Sequence, residues 1–200
     1  MRSLRRDAAS SLKSRSRDCA QNPLPEHFER DGDVSTIDTR CNNPAMSRRS
    51  SDTDLDAADK KLLTTLEDWG WYVLKVGAGE TTPTFAYSIG LFEHFKHPEI
   101  IVFGLSLDTM HTLINDAAKQ IQRGHAYASG QRYDDLLKDY ECEFRTVNPS
   151  RYDGFLNYGL WFYRGSQFPA LQLVWPDREG HFPWDPNFDE RFRQDQVILE

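Results

Sequence analysis

Cysteine and long hydrophobic runs are both scarce in this 200-residue sequence. Its three cysteines, Cys19, Cys41 and Cys142, form no CxxC pair and are too scattered for a disulfide framework. No apolar run approaches the ~18 residues that a membrane-spanning helix needs. The formal charge of −7 argues against a protein that binds nucleic acid by neutralising phosphates. We therefore expect a soluble, cytoplasmic globular protein that acts on neither membranes nor nucleic acids.

Aromatic residues are nearly absent from the first 60 positions. Only Phe28 lies there, and the other 24 aromatic residues lie in residues 61–200. The first 60 residues carry 11 Lys/Arg and 11 Asp/Glu, whereas residues 61–200 carry 13 and 20 and hold the whole net charge. A segment so poor in large apolar side chains cannot bury enough surface to offset the entropy lost on ordering. The sequence therefore predicts a disordered tail over residues 1–50 and a single domain over residues 51–200.

Signatures of phosphate binding and of nucleophilic catalysis are also missing. Gly77-Ala78-Gly79 matches neither GxGxxG nor GxxxxGK[ST] and is explained by a turn. Ser88 lacks the GxSxG elbow that exposes a hydrolase serine. Cys142 lies in an alternating strand pattern that is typical of a packed thiol. None of these residues is a good catalytic candidate.

Helical periodicity predicts three helices. The first follows Asp54, a favourable N-cap residue, and ends at Gly70. The second is expected to be capped by Asp108 and to end near Gly124, because apolar residues recur at helical spacing from residue 110 to residue 121. The third covers residues 152–163, although its two glycines weaken it by ~1 kcal/mol each relative to alanine.

Runs of β-branched and aromatic residues predict five strands: Trp71–Val76, Phe85–Ile89, Ile100–Phe103, Tyr140–Thr146 and Leu171–Trp175. Residues 125–139 are expected to form a loop with one helical turn around Leu136. The short connections between the first three strands favour antiparallel hairpins, and the later helices can then cover the sheet. The predicted fold class is α+β, with a mixed, mainly antiparallel sheet and helices packed on it.

The densest polar cluster is the segment from His94 to Glu99. His94, His97 and Glu99 together offer the imidazole and carboxylate ligands of a divalent-metal site. Their HxxHxE spacing on a loop lacks the helical geometry that makes metalloprotease motifs specific. The alternative is a structural loop in which Pro98 fixes the backbone and His97 hydrogen-bonds to it.

The same histidine is a candidate for acid–base catalysis. His97 could pair with Glu99, or with Asp177 from a distant loop, and a neighbouring carboxylate would raise the histidine pKa. The catalytic candidates are therefore His97, Glu99 and Asp177. Without a nucleophile, the reaction stays open.

An unusual loop lies near the end of the chain. Residues 175–186 contain two Trp, one Phe and three Pro, which are costly to leave in water. We therefore expect the loop to fold back over the sheet. It could frame a ligand pocket or a partner surface, or it could simply close the core.

Three motifs, in the same order along the chain, resemble the bacterial domain of unknown function 4262 family: Phe85-Ala86-Tyr87-Ser88-Ile89-Gly90-Leu91, His97-Pro98-Glu99-Ile100, and Trp175-Pro176-Asp177 followed by Gly180 and Pro183-Trp184. The resemblance covers roughly residues 60–200. It implies a bacterial, cytoplasmic protein and no mechanism, because the family has no established activity. The resemblance also marks the positions at which we expect a shared site: Tyr87, Gly90, His97, Pro98, Glu99, Asp177 and Trp184. Among them, Tyr87, Gly90 and Trp184 are the ligand-binding candidates.

Two hypotheses for the function follow. The first is a binding or regulatory module that acts on a protein partner, favoured by the missing catalytic signature, the acidic charge and the aromatic loop. The second is a small enzyme with a pocket under that loop, lined by Tyr87, His97, Glu99 and Asp177. This enzyme would depend on a metal or on a flavin stacked by aromatic rings, although no flavin motif is present. We favour the module.

Overall fold

The computed structural model describes residues 55–200. The predictions for residues 1–50 and for the domain boundary at residue 51 lie outside this range. The helices are α1 (Ala57–Trp69), α2 (Leu91–Phe95), α3 (Leu107–Gln122), α4 (Tyr152–Phe155), α5 (Asn157–Tyr163) and α6 (Glu190–Arg193). The strands are β1 (Tyr72–Val76), β2 (Phe85–Ile89), β3 (Glu99–Phe103), β4 (Arg132–Leu137), β5 (Tyr140–Thr146) and β6 (Ala170–Val174). None of these helices combines the length and apolarity that crossing a bilayer requires.

The six strands form one mixed sheet in the order β1-β2-β3-β6-β5-β4. Neighbouring strands are antiparallel except β3 and β6, which are parallel. The parallel pair arises because the chain leaves β3 through α3 and the β4–β5 hairpin before it returns as β6, and parallel neighbours need such a long connection. The predicted α+β class, with a mixed and mainly antiparallel sheet, is confirmed.

Both faces of the sheet are covered. On the first face, Ile100 and Val102 of β3 pack in the same apolar cluster as α3. On the second face, Ile101 and Phe103 pack in a cluster with α1, α4 and residues near the end of the chain. Because β3 is buried on both sides, its sequence is continuously apolar after Glu99, as predicted for a central strand.

The two long helices are confirmed, with a correction to the N-cap of each. The N-cap of α1 is Asp56 and not the predicted Asp54. At α1, the Asp56 side chain accepts a hydrogen bond from the Asp59 N–H, and Gly70 ends the helix with φ 86°. At α3, the cap is Ser106, whose hydroxyl accepts from the Thr109 N–H at 3.1 Å. The predicted cap Asp108 lies inside the helix and pairs with Lys75 at 3.4 Å instead.

The region predicted as a loop over residues 125–139 contains a strand, β4, and no helical turn around Leu136. A register shift between Tyr133 and Leu137 interrupts the pairing of β4 with β5. A bulge of this kind removes the regular alternation by which a strand is identified from sequence. The predicted helix over residues 152–163 is also divided, into α4 and α5, at Leu156.

Candidate functional site

The Glu99 carboxylate is the most enclosed charged group among the candidates, with 1% of the residue exposed. Its Oε2 accepts a hydrogen bond from the Ser88 hydroxyl at 2.5 Å. Its Oε1 accepts from the N–H groups of Gly90 at 2.9 Å and Phe92 at 3.1 Å. The Tyr163 hydroxyl of α5 also donates to Oε1. One carboxylate therefore joins β2, β3, α2 and α5.

Local strand geometry places Ser88 next to Glu99. The β2–β3 register ends at the pair Tyr87 and Ile101, one residue before Ser88. Beyond that point, the Ser88 hydroxyl accepts from the Ile100 N–H at 2.8 Å and takes the place of a backbone carbonyl. The hydroxyl proton is therefore directed at Glu99.

The Glu99 carboxylate also caps α2. Gly90, the N-cap residue of α2, has no side chain to accept from the first N–H groups of the helix. Glu99 accepts from two N–H groups at this end, where the helix dipole favours negative charge. Gly90 adopts φ 107°, and an added Cβ would lie 2.4 Å from the Leu66 side chain, so only glycine fits at this position.

Burial dominates the electrostatics of this cluster. Desolvation raises the pKa of Glu99 above its ordinary value, although hydrogen bonds from Ser88, Tyr163 and the two backbone N–H groups oppose the shift. Burial and the neighbouring Glu99 charge likewise raise the pKa of Tyr163. The Tyr163 phenol therefore stays protonated and acts as a donor.

His97 has a structural role in the described domain. Its Nδ1 lies 2.7 Å from the Pro98 carbonyl oxygen, and its Nε2 lies 3.0 Å from the Tyr127 backbone nitrogen. These partners assign a neutral ring that donates through Nδ1–H and accepts at Nε2. Burial is the main reason that the histidine pKa is lowered. The predicted backbone-bonding alternative for His97 is confirmed, and both ring nitrogens are occupied.

The three predicted metal ligands are not brought together. The His94 Nδ1 lies 3.1 Å from the Gly90 carbonyl oxygen, His97 is engaged with Pro98 and Tyr127, and Glu99 is surrounded by donors. Among residues 55–200, no group of three or more His, Cys, Asp or Glu side chains is arranged to hold a metal ion. The geometry therefore does not support the metal hypothesis for His94, His97 and Glu99.

Asp177 organises its own loop. Its Oδ1 accepts from the N–H groups of Glu179 at 3.0 Å and His181 at 2.8 Å, and its Oδ2 accepts from the Asp189 N–H at 2.9 Å. Burial alone would raise the pKa of Asp177, but these backbone hydrogen bonds and the nearby His181 hold it below its ordinary value. Because these backbone N–H groups occupy both oxygens of the carboxylate, Asp177 does not pair with His97.

The pocket predicted under the aromatic loop is not formed by these residues. Tyr87 accepts from the Tyr158 N–H at 3.2 Å on the second face of the sheet, whereas His97 packs edge-on against Tyr127. Glu99 is hydrogen-bonded instead to Ser88, to Tyr163 and to the N-terminal end of α2. The candidate residues thus belong to separate sets of contacts.

The aromatic loop itself folds over the sheet, as predicted. The rings of Phe182 and Trp184 are parallel, with centroids 5.0 Å apart and an interplanar angle of 5°. The Arg132 guanidinium of β4 lies 4.5 Å from the Phe182 ring centroid, and that of Arg145 in β5 lies 4.0 Å from the Trp184 centroid. Phe182 is 3% exposed, whereas Trp184 is 42% exposed.

A buried carboxylate holds the two arginines under this loop. Glu143 of β5 contacts the Arg132 Nε at 3.1 Å and the Arg145 Nε at 2.7 Å. Arg145 also reaches the Glu200 carboxylate at 3.2 Å. The period-2 pattern of β5 alone would place Glu143 on a solvent-exposed face. The aromatic loop buries Glu143. The sequence features that could have indicated this contact are the alternating charged residues of β5 and the aromatic loop later in the chain.

Two cavities are relevant to binding. An open cavity of about 510 Å³ is lined by a group of residues that we call the Trp184 surface: Arg145, Pro183, Trp184, Ile198 and Glu200. A smaller cavity of about 30 Å³ lies on the second face of the sheet, between β1, β2 and the α4–α5 connection. Glu99 lines neither of these two cavities.

Comparison with known proteins gives one match. A family model described as a domain of unknown function, DUF4262, matches residues 65–189. Every candidate site residue predicted from the sequence lies within that range. No curated protein and no solved structure matches the chain.

Proposed function

We propose that this chain, which belongs to the domain of unknown function 4262 family, is a protein-binding module that contacts its partner through the Trp184 surface. The observation that carries the proposal is the state of Trp184. Trp184 is 42% exposed, yet Phe182 and Arg145 both lie against its ring. A bacterial, cytoplasmic setting, implied by the family resemblance, is part of this proposal.

The ordering of Trp184 favours binding. Tryptophan and arginine are the residues most often found to dominate the free energy of a protein interface. Binding normally orders mobile side chains at a cost of ~0.5–1.5 kcal/mol each, and a ring already held in place avoids much of that cost. Asp177 contributes indirectly, because its backbone hydrogen bonds shape the loop that carries Trp184.

The surroundings of Trp184 match the composition of an interface. Ile198 supplies apolar contact area within the same cavity, and the buried Pro183 forms part of its wall. The Arg145–Glu200 pair supplies charged groups beside them. An apolar centre with a polar rim is the usual arrangement in protein complexes.

Affinity capture with Trp184→Ala tests the proposal. The full chain and two variants are immobilised, and proteins captured from the source cell extract are quantified by mass spectrometry. Trp69→Ala is the matched control, because Trp69 is also tryptophan and is 41% exposed, on α1. We expect at least one protein that is captured by the wild-type chain and by Trp69→Ala and that is lost with Trp184→Ala.

The captured protein is then purified and titrated against the same three chains. We expect Trp184→Ala to weaken its binding about 30-fold or more, the effect of losing an interface anchor worth ~2 kcal/mol. Equal affinity of the Trp184→Ala and wild-type chains for every captured protein would refute the proposal.

The Glu99 cluster is the observation that favours the alternative, a small enzyme. Glu99 is a buried carboxylate with a raised pKa, and it accepts hydrogen bonds from the hydroxyls of Ser88 and Tyr163. Such a group could exchange a proton with a substrate. Native mass spectrometry of the full chain would reveal a retained flavin or metal, the cofactors considered for such an enzyme. If one is retained, Glu99→Gln should abolish turnover while the fold persists. If Glu99 has only a structural role, the Glu99→Gln substitution will change the stability of the domain and nothing else.

A further inference from the structure

One edge of the sheet, β1, has no further strand beside it within residues 55–200. Within residues 55–200, the strand neighbour of β1 is β2, and the two pair in register along the whole of Tyr72–Val76. β1 contains no proline, no bulge and one charged residue, Lys75. The opposite edge, β4, carries a register shift and the adjacent Asp134 and Asp135, which are features that prevent further strand pairing. β1 has none of this protection.

The small cavity lies directly beside this edge. Its walls include Leu74 and Val76 of β1, Phe85 and Tyr87 of β2, and Phe155 of α4, and its rim includes the exposed Gly154. Its volume of about 30 Å³ is two to three times the ~10–15 Å³ that holds one water molecule. Because its walls are mainly apolar, the cavity suits the end of one aliphatic side chain and is too small for an aromatic ring.

Strand addition would bring a side chain to this cavity. In a strand added next to β1, every second side chain points to the second face of the sheet. Side chains directly opposite each other on neighbouring strands lie ~4.5–5.5 Å apart. A residue paired beside Leu74 or Val76 therefore projects on the same face of the sheet as these two walls of the cavity.

Because β1 is short, a peptide fits its edge better than a second copy of the chain does. A stable protein–protein interface buries ~800 Å² on each partner. A β1–β1 contact offers only five residues of each chain, which is far less than this area requires. A short extended segment, bound mainly by backbone hydrogen bonds, fits the edge better.

The negative charge of the residues around β1 favours a basic peptide. Glu67, Asp68 and Glu80 flank the strand in sequence and are exposed. The single cation of β1, Lys75, is already paired with the exposed Asp108. Residues 61–200 also carry 20 acidic and 13 basic residues, so the field of the domain attracts cations.

We infer that β1 is a docking edge for a basic, extended peptide that adds as a seventh strand and places one aliphatic side chain in the cavity between Leu74, Val76 and Phe155. This site is independent of the Trp184 surface, because the two share no residue. The two proposals can therefore fail separately.

Fluorescence anisotropy with a defined peptide tests the inference. The probe is a fluorescein-labelled heptapeptide, Lys-Thr-Lys-Leu-Lys-Thr-Lys, titrated with the full chain at low salt. Two control peptides isolate the two recognition elements: one carries N-methyl groups on alternate amides, and the other has Gly in place of Leu. We expect saturable binding below about 1 mM, weakened at least tenfold in each control.

Gly154→Leu tests the cavity from the protein side. Gly154 lines the cavity, and an added Cβ there meets no atom within 4 Å, so we expect the larger side chain to be tolerated and to narrow the cavity. We expect at least tenfold weaker peptide binding for Gly154→Leu and unchanged binding for Trp184→Ala. Equal binding of the N-methylated peptide would overturn the inference, because charge attraction alone would then explain it. Absence of saturable binding, or a dimer in native mass spectrometry that Gly154→Leu disrupts, would overturn it as well.

Discussion

The Tyr163 hydroxyl donates a hydrogen bond to the buried carboxylate of Glu99, a residue 64 positions earlier in the chain. This contact fastens α5 to the start of β3, at the point where Glu99 also caps α2. It explains why a charged residue can begin a strand that is otherwise apolar and buried on both faces. The cluster is an anchor of the fold, and its partners can be tested individually.

Removing the Tyr163 hydroxyl should destabilise the domain. Tyr163→Phe takes one donor from a buried acceptor, and we expect a loss of ~1.5–3 kcal/mol in the free energy of unfolding. Urea denaturation measures this loss. Tyr140→Phe is the control, because Tyr140 is exposed and its substitution should change stability by less than ~0.5 kcal/mol. Equal effects of the two variants would contradict the anchoring role of Tyr163.

Glu99 should make the domain less stable as the pH rises. Its pKa is higher in the folded state than in the unfolded chain, so the folded state binds more protons between the two values. The stability that comes with the protonated carboxyl is therefore fully present below the unfolded value of about 4.5 and is lost as pH rises from there through the folded pKa. The test compares unfolding free energies of the wild type and Glu99→Gln across this range. A constant difference between them would contradict the raised pKa.

His97 should produce the opposite dependence. Burial lowers its pKa below the ordinary 6.5, so the unfolded chain takes up a proton at a higher pH than the folded domain does. Stability is full above 6.5 and falls as pH decreases toward the folded pKa, by up to ~1.4 kcal/mol per pH unit. His97→Gln should remove this component, measured by urea denaturation at pH 7.5 and 5.5. If His97→Gln retains the wild-type slope, the neutral buried ring is incorrectly assigned.

The sequence predicts the main elements but not the contacts that decide the site. Periodicity correctly identifies α1, α3 and five strands, because their apolar faces are regular. It misplaces the N-caps of both helices, since each helix start offers two favourable N-cap residues and only the backbone decides between them: Asp54 and Asp56 at α1, Ser106 and Asp108 at α3. It misses β4, whose bulge breaks the alternation. His97 and Glu99 flank the same proline in sequence. Because Glu99 begins β3 and His97 precedes it, their side chains have different partners: His97 contacts Tyr127 and Glu99 contacts Ser88.

Asp177 should control the aromatic loop without touching a partner. Asp177→Ala removes the acceptor of three backbone N–H groups, those of Glu179, His181 and Asp189. Hydrogen–deuterium exchange should show faster exchange at these amides, with β1 and β2 unchanged. Partner binding through Trp184 should weaken, because the loop loses its order. Unchanged exchange at all three amides would show that another contact shapes the loop.

The central claim, that Trp184 is the partner contact, is tested most directly by site-specific photo-crosslinking in cells. A benzophenone amino acid is placed at position 184 and, in a second chain, at the equally exposed position 69. We expect a discrete protein adduct after irradiation only when the probe is at position 184. Identical adduct patterns from both positions, or no adduct from position 184, would contradict the proposed binding surface.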